Sequence, residues 1–155
     1  MKTEFKLRPY QGKDDERQLE LLELPRKYIR QYTNSPPFYY FLRLLGICTD
    51  YLYLMTQNDS AKVVGTILLR KRINIFEAGY TWKMHAVYVA PELRGRGLGV
   101  KLVFHALEKL RERRVGEVSL KVDESNKAAI QLYKKCGFIE KTRRRGQLIF
   151  FKHVT

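Results

Sequence analysis

Cysteine is nearly absent from this 155-residue chain: Cys48 and Cys136 stand far apart, and neither belongs to a CxxC pair. That excludes a disulfide framework, and with only three scattered histidines it excludes zinc-type ligand spacing, so no metal is expected. Both thiols read as buried and reduced, as in a cytoplasmic protein. Long apolar runs are missing too. No stretch approaches the ~20 residues that span a bilayer, and Met1–Lys6 carries charge with no apolar segment behind it, so neither a membrane anchor nor a secretory leader is expected. Acidic residues are scarce: 16 against 30 Lys and Arg, a formal charge of +14. The excess is concentrated late, with 13 basic and 9 acidic residues in 1–80 and 17 and 7 in 81–155. Such a balance favours an anionic partner, whether a phosphorylated cofactor, an acidic peptide or nucleic acid, or else it simply solubilises the surface.

What remains suits one globular domain over residues 1–155, with 45% hydrophobic residues and no repeat or linker. Glu4–Tyr10 alternates like a half-buried strand. Asp14 or Asp15 suits the cap of a helix running to Pro25, and Pro36-Pro37 suits the first turn of an aromatic helix, Phe38–Leu45. Tyr51–Thr56, Lys62–Arg70 and Trp82–Val89 read as strands. Val100, Val103, Phe104, Leu107 and Leu110 place an apolar stripe on a helix from Leu98 to Arg114. Val118–Val122 is a further strand, Ser125 or Asn126 caps a helix ending at Gly137, and two strands form a hairpin about Arg144-Arg145-Gly146. The order predicts an α/β (α+β) fold with a mixed central sheet of about seven strands and about four helices.

The most informative stretch is Val87-Tyr88-Val89-Ala90-Pro91-Glu92-Leu93-Arg94-Gly95-Arg96-Gly97-Leu98-Gly99. A strand ends there and a glycine-rich turn opens a helix, whose first-turn N–H groups lack intrahelical partners and carry the positive end of the dipole. Glycines at 95, 97 and 99 admit a large anion, and Arg94 and Arg96 add charge beside it, which makes a pyrophosphate cradle. The Gly-Lys-Ser/Thr ending of a P-loop is absent, and the spacing is GxGxG rather than the dinucleotide-binding GxGxxG. Without further context the same turn could merely start a helix.

This block resembles the acetyl-CoA signature of the GNAT family of N-acetyltransferases, in which a strand leads through Arg/Gln-x-x-Gly-x-Gly/Ala into a helix. A second block, Val118 to Phe138, is similar to the family's strand and helix ending in N-x-x-A-x-x-x-Y-x-x-x-G-F. The resemblance covers about residues 62–152 and implies the GNAT fold and a transfer of acetyl from acetyl-CoA (coenzyme A) to a primary amine by direct attack in a ternary complex. It implies that the main chain of Arg94, Gly95, Arg96, Gly97, Leu98 and Gly99 holds the pyrophosphate. Val87 and Val89 would pair with the pantetheine arm and supply an oxyanion-hole amide. Asn126 would contact the cofactor, or serve only as a helix cap, or both.

Tyr133 matches the family's general acid for the departing thiolate; the plain alternative is an aromatic core residue of that helix. The base is open. Positions where some members carry glutamate are Lys83 and Lys121 here. His85 is the leading candidate: strand alternation expects it on one face with Val87 and Val89, and an imidazole titrates near ~6.5. A core histidine is the plain alternative. Glu77, before the strand, is the second choice; His105 reads as surface, and His153 and Cys136 as inert. The acceptor is an amine-bearing small molecule or protein. Direct nucleic-acid binding is disfavoured because the basic runs Arg111–Arg114 and Arg143–Arg145 lack a recognition motif. The competing classes are a basic nucleic-acid- or ribosome-associated protein and an acyl-CoA-binding sensor without turnover. A homodimer is plausible.

Overall fold

The computed structural model describes residues 4–11, 48–57, 62–74 and 76–154. The helices expected up to Pro25 and over Phe38–Leu45, the turn about Asn58–Ser60 and the side chain of Cys48 lie outside them. Seven strands form one sheet: β1 (Phe5–Pro9), β2 (Cys48–Gln57), β3 (Val63–Asn74), β4 (Gly79–Val89), β5 (Glu117–Asp123), β6 (Ile139–Arg144) and β7 (Gln147–His153), in the order β1-β2-β3-β4-β5-β7-β6. Neighbours run antiparallel except β4 and β5, which are parallel. Parallel strands need a crossover, and here it is a short 3-10 turn (Pro91–Leu93) and helix α1 (Leu98–Glu112). Helix α2 (Lys127–Lys135) links β5 to β6. The expected mixed seven-stranded sheet is therefore found, with two α-helices among the described residues.

Burial explains the layers. Val63 to Leu69 in β3 is buried without interruption, as suits a central strand covered on both faces. One face packs Ile67, Leu69, Met84, Val118, Leu120 and Phe150 against Leu102, Val103, Ala106, Leu107 and Leu110 of α1 and Ile130 and Tyr133 of α2. Each fully buried aliphatic side chain there contributes about 1.5–3 kcal/mol. The other face carries a smaller cluster, Leu52, Leu54, Val63 and Leu68, flanked by Tyr10, Ala86 and Tyr88.

Three expectations about elements change. Phe104 is 45% exposed, and the α1 stripe runs through Leu102 and Ala106 instead. His105 is half-buried rather than on the surface, its ring edge-on to Tyr53 at 5.1 Å. The β3–β4 hairpin continues past Arg70 to Asn74 and restarts at Gly79, because charged residues there are tied into the sheet: Arg72 Nη1 donates to Asp50 on β2 at 2.8 Å. The expected turn between β6 and β7 holds, with Arg145 and Gly146 both at positive φ (52° and 73°), the type I′ combination that matches strand twist.

Candidate active site at the parting of β4 and β5

β4 and β5 share two rungs, Trp82↔Val118 and Lys83↔Ser119. Beyond them no ladder pair joins the strands, although β4 runs on to Val89 and β5 to Asp123. The cause lies in β4. Leu68 on β3 pairs with His85, yet Thr66 pairs with Tyr88, so Ala86 and Val87 together face one residue. This is a β-bulge, and Ala86 sits at φ 49°, a left-handed conformation that costs a non-glycine residue about 1–3 kcal/mol. The Thr66 hydroxyl donates to the Ala86 carbonyl at 3.1 Å and steadies the distortion.

Past the bulge, Ala90 N–H donates to Val64 on β3. Peptide groups alternate along a strand, so those of Val87 and Val89 turn to the opposite edge, toward the gap. The Val89 carbonyl accepts from Arg94 Nε at 3.0 Å, which uses the Arg94 side chain to close the strand end.

The bulge overturns one expectation. A regular strand would put His85 on the face of Val87 and Val89. Instead Val87 and Val89 pack with the α1-side core, while His85 opposes Leu68 on the other face. The apolar positions Trp82 and Met84 are even-numbered and Val87 and Val89 odd. That slip in parity is the signal in the sequence. Burial, and then the charges of Arg70, Lys83, Arg72 and Lys121, push the His85 imidazole down to about 4, so it is neutral at neutral pH.

The glycine turn follows. Buried Leu93 and Leu98 anchor its ends. Gly95 and Gly97 take φ of 77° and 76°, and nothing lies within 4 Å of where their Cβ atoms would be, so their left-handed turn opens onto free space. Gly97 caps α1 with no side-chain hydrogen bond, which leaves the first-turn amides of Leu98, Gly99 and Val100 for a ligand. The missing Cβ of Gly99 also serves packing. A Cβ there would come within 3.2 Å of Leu132 Cδ2, so the glycine lets α1 start against α2.

Across the gap, Asp123 builds the turn into α2, accepting from Ser125 N–H at 2.9 Å and the Ser125 hydroxyl at 2.5 Å. Asn126 Oδ1 accepts from Ala129 N–H at 3.1 Å. It is thus the helix cap, and the residue is exposed. Seven residues on, Tyr133 is 8% exposed on the α1-side face. Its place is held by the end of its own helix: Phe138 N–H donates to Tyr133 O at 3.0 Å and Gly137 N–H to Lys134 O at 2.9 Å, a Schellman turn that sets the Phe138 ring edge-on to Tyr133 at 5.9 Å.

Other candidates lie elsewhere. Glu77 sits in the β3–β4 turn, hydrogen-bonded by Asn74 Nδ2 at 2.6 Å, and the strand from Gly79 onward separates it from His85 by about 20 Å at ~3.3 Å per residue. Cys136 is buried and burial pushes its thiol up, away from nucleophile chemistry. His153 is exposed at the end of β7.

Comparison with known proteins bears on this arrangement. An uncharacterised N-acetyltransferase of Methanocaldococcus jannaschii is 39% identical over 72 residues, 46% of this chain and 32% of its own. A mycothiol acetyltransferase of Thermobispora bispora is 46% identical over 56 residues, 36% of this chain and 19% of its own. These matches thus span a third or less of each relative's length. The crystal structure of PaiA N-acetyltransferase from Thermoplasma acidophilum, in complex with coenzyme A, superposes with a TM-score of 0.72 at 17% identity, covering 97% of this chain and 99% of that one, a likeness of fold. Residues 18–138, more than half of the chain, match the Acetyltransferase (GNAT) family. With both sequence blocks meeting at one parted pair of strands, the chain belongs to that family.

Proposed function

We propose that this protein transfers the acetyl group of acetyl-CoA to a primary amine, by direct attack in a ternary complex. One observation carries the reading: β4 and β5 part beyond Lys83 and Ser119, and the turned peptide groups of Val87 and Val89 face that gap beside an uncapped helix N-terminus. Open space over Gly95 and Gly97 fits a bulky anion, and Arg96 is exposed beside it. The amides from Arg94 to Gly99 would hold a pyrophosphate, and Asn126 Nδ2 would add a donor from α2. Acetyl-CoA bound there supplies a thioester carbon open to a neutral amine.

The residues divide the work across the sheet. The N–H groups of Val87 and Val89 would donate to the oxyanion as its charge develops. Tyr133, on the α1 side, gives its proton to the departing thiolate as the carbon–sulfur bond breaks and the carbon–nitrogen bond forms. His85, on the opposite face, is neutral at pH 7; its lone pair accepts an amine N–H directly or through water, and the released proton passes on to solvent. With its pKa near about 4 it orients the amine more than it stores charge. The reading takes residues 1–155 as one catalytic domain and places it in the cytoplasm, where a buried thiol such as Cys136 stays reduced. No described helix is long and apolar enough to cross a membrane.

The test is acetyl-CoA-dependent acylation across a panel of primary amines, followed as thiol release and as product mass. Tyr133→Phe keeps the ring contacts and loses the proton; turnover should fall about 10²–10⁴-fold while acetyl-CoA still binds. If no amine is acylated, or the Phe variant matches the parent, the reading is wrong.

A further inference from the structure

On the sheet face opposite α1, ladder register gathers positive charge around the gap. Arg70 on β3 is paired with Lys83 on β4, and Lys83 with Ser119 on β5. Arg72 pairs with Thr81. His85 lies two residues beyond Lys83, and Lys121 two beyond Ser119, so both share this face. One carboxylate serves the two guanidiniums: Asp50, 6% exposed, meets Arg72 Nη1 at 2.8 Å and Arg70 Nε at 3.5 Å. Asp123, further along β5, is engaged by Ser125. Glu117, at the other end of β5, meets Lys141 at 3.2 Å and His153 at 3.8 Å. Lys83 and Lys121 are exposed, and among the described residues neither has an ion pair. Among the described residues, the charges that act on His85 are the cations Arg70, Lys83, Arg72 and Lys121.

We propose that the acceptor is an acidic peptide, with carboxylates in the first residues beyond its amine that lie against Lys83 and Lys121. The inference rests on the acetyl-transfer reading and specifies its substrate. Two lysines flanking the gap would repel an approaching ammonium unless the molecule that carries it brings its own negative charge. The span favours a peptide over a single small carboxylate. Lys83 and Lys121 sit on neighbouring strands, about 4.8 Å apart, and two residues out of register, so their positions are separated by roughly 8 Å. A single small carboxylate cannot meet both, whereas the flexible lysine side chains can each reach a carboxylate within the first residues of a peptide. A bound acidic segment would also offset the four cations around His85 and make its imidazole a better proton acceptor.

Three peptides decide it. They share a free α-amine and one lysine and differ only at residues two and three: Glu-Glu, Gln-Gln or Arg-Arg. With saturating acetyl-CoA at low salt, kcat/KM for the Glu-Glu peptide should exceed that for Gln-Gln by about tenfold, the combined effect of two exposed charge pairs, and exceed Arg-Arg by more. The preference should shrink as salt rises, and in the doubly reversed variant Lys83→Glu, Lys121→Glu the order should invert. Both lysines are exposed, and an undiminished acetyl-CoA-induced thermal shift verifies that the variant is folded. Equal or better use of Gln-Gln or Arg-Arg peptides, a ratio untouched by the reversal, or acetyl-CoA binding without turnover of any of the three overturns the acidic-acceptor inference. Failure to bind acetyl-CoA at all is the separate failure of the acetyl-transfer reading.

Discussion

His85 shows how one residue's setting shapes both chemistry and stability. In an unfolded chain a histidine titrates near ~6.5, whereas here burial and surrounding cations bring it to about 4. Between those values the unfolded chain binds the proton and the folded one does not. The stability from keeping this ring neutral is therefore whole above about pH 6.5 and is lost as pH falls toward about 4. In urea unfolding across that window, the midpoint of the parent should drop relative to His85→Gln as pH is lowered; a constant difference would mean that His85 titrates normally. For activity, neutrality at pH 7 means that kcat/KM between pH 6 and 9 should follow the acceptor amine rather than this imidazole. Residue identities are legible in the sequence: Asn126 and Tyr133 stand out by motif spacing. Their roles in the fold are less so, since nothing in the sequence says that Phe138 and Gly137 close a Schellman turn over Tyr133, or that the missing Cβ of Gly99 makes room for Leu132.

Among the elements, β4 matters most, because its bulge opens the site. Without the extra residue at Ala86, β4 would continue regularly beside β3, and Val87 and Val89 would exchange faces with Ala86 and Tyr88. Ala86 at φ 49° tolerates the turn at modest cost, while a β-branched side chain there is far more strained. Ala86→Val should cost roughly 2 kcal/mol, read as a lowered urea midpoint, and should abolish acetyl-CoA binding even under conditions where the variant stays folded. Full binding in a folded Ala86→Val protein would mean that the bulge does not shape the site. Alternation gives the wrong face for His85 because a bulge adds a residue without altering composition: Ala and Val both read as strand. The parity change from Trp82 and Met84 to Val87 and Val89 is the only trace it leaves. The hairpin from Lys71 to Thr81 escapes a reading of local pattern for a related reason, since its charges are held by cross-strand partners such as Asp50 that lie far away in sequence.

At the scale of the molecule, the order of strands and helices from β2 onward follows from periodicity and from the glycines that end helices. The order of strands in the sheet does not. That β7 inserts between β5 and β6 depends on long-range pairing, Leu120 with Phe150 for example, that no local pattern encodes. The fold brings the two informative blocks, well separated in the chain, to the same pair of strand ends. It also sorts the charge: among the described residues, the carboxylates of Asp50, Asp123 and Glu117 on the gap side of the sheet are already engaged, while Lys83 and Lys121 stay exposed beside the gap. An anion-binding surface of this kind makes controls essential in any ligand experiment. The most direct test of the account is thermal unfolding with acetyl-CoA, with ADP and polyphosphate alongside, at low and moderate salt. Acetyl-CoA at 100 times its Kd should add about 2.7 kcal/mol, a rise of roughly 5–10 °C for a chain of this size, and the rise should persist at the higher salt and exceed that from either control. No rise, or one that polyphosphate reproduces and salt removes, would contradict a built acetyl-CoA site at the parting of β4 and β5.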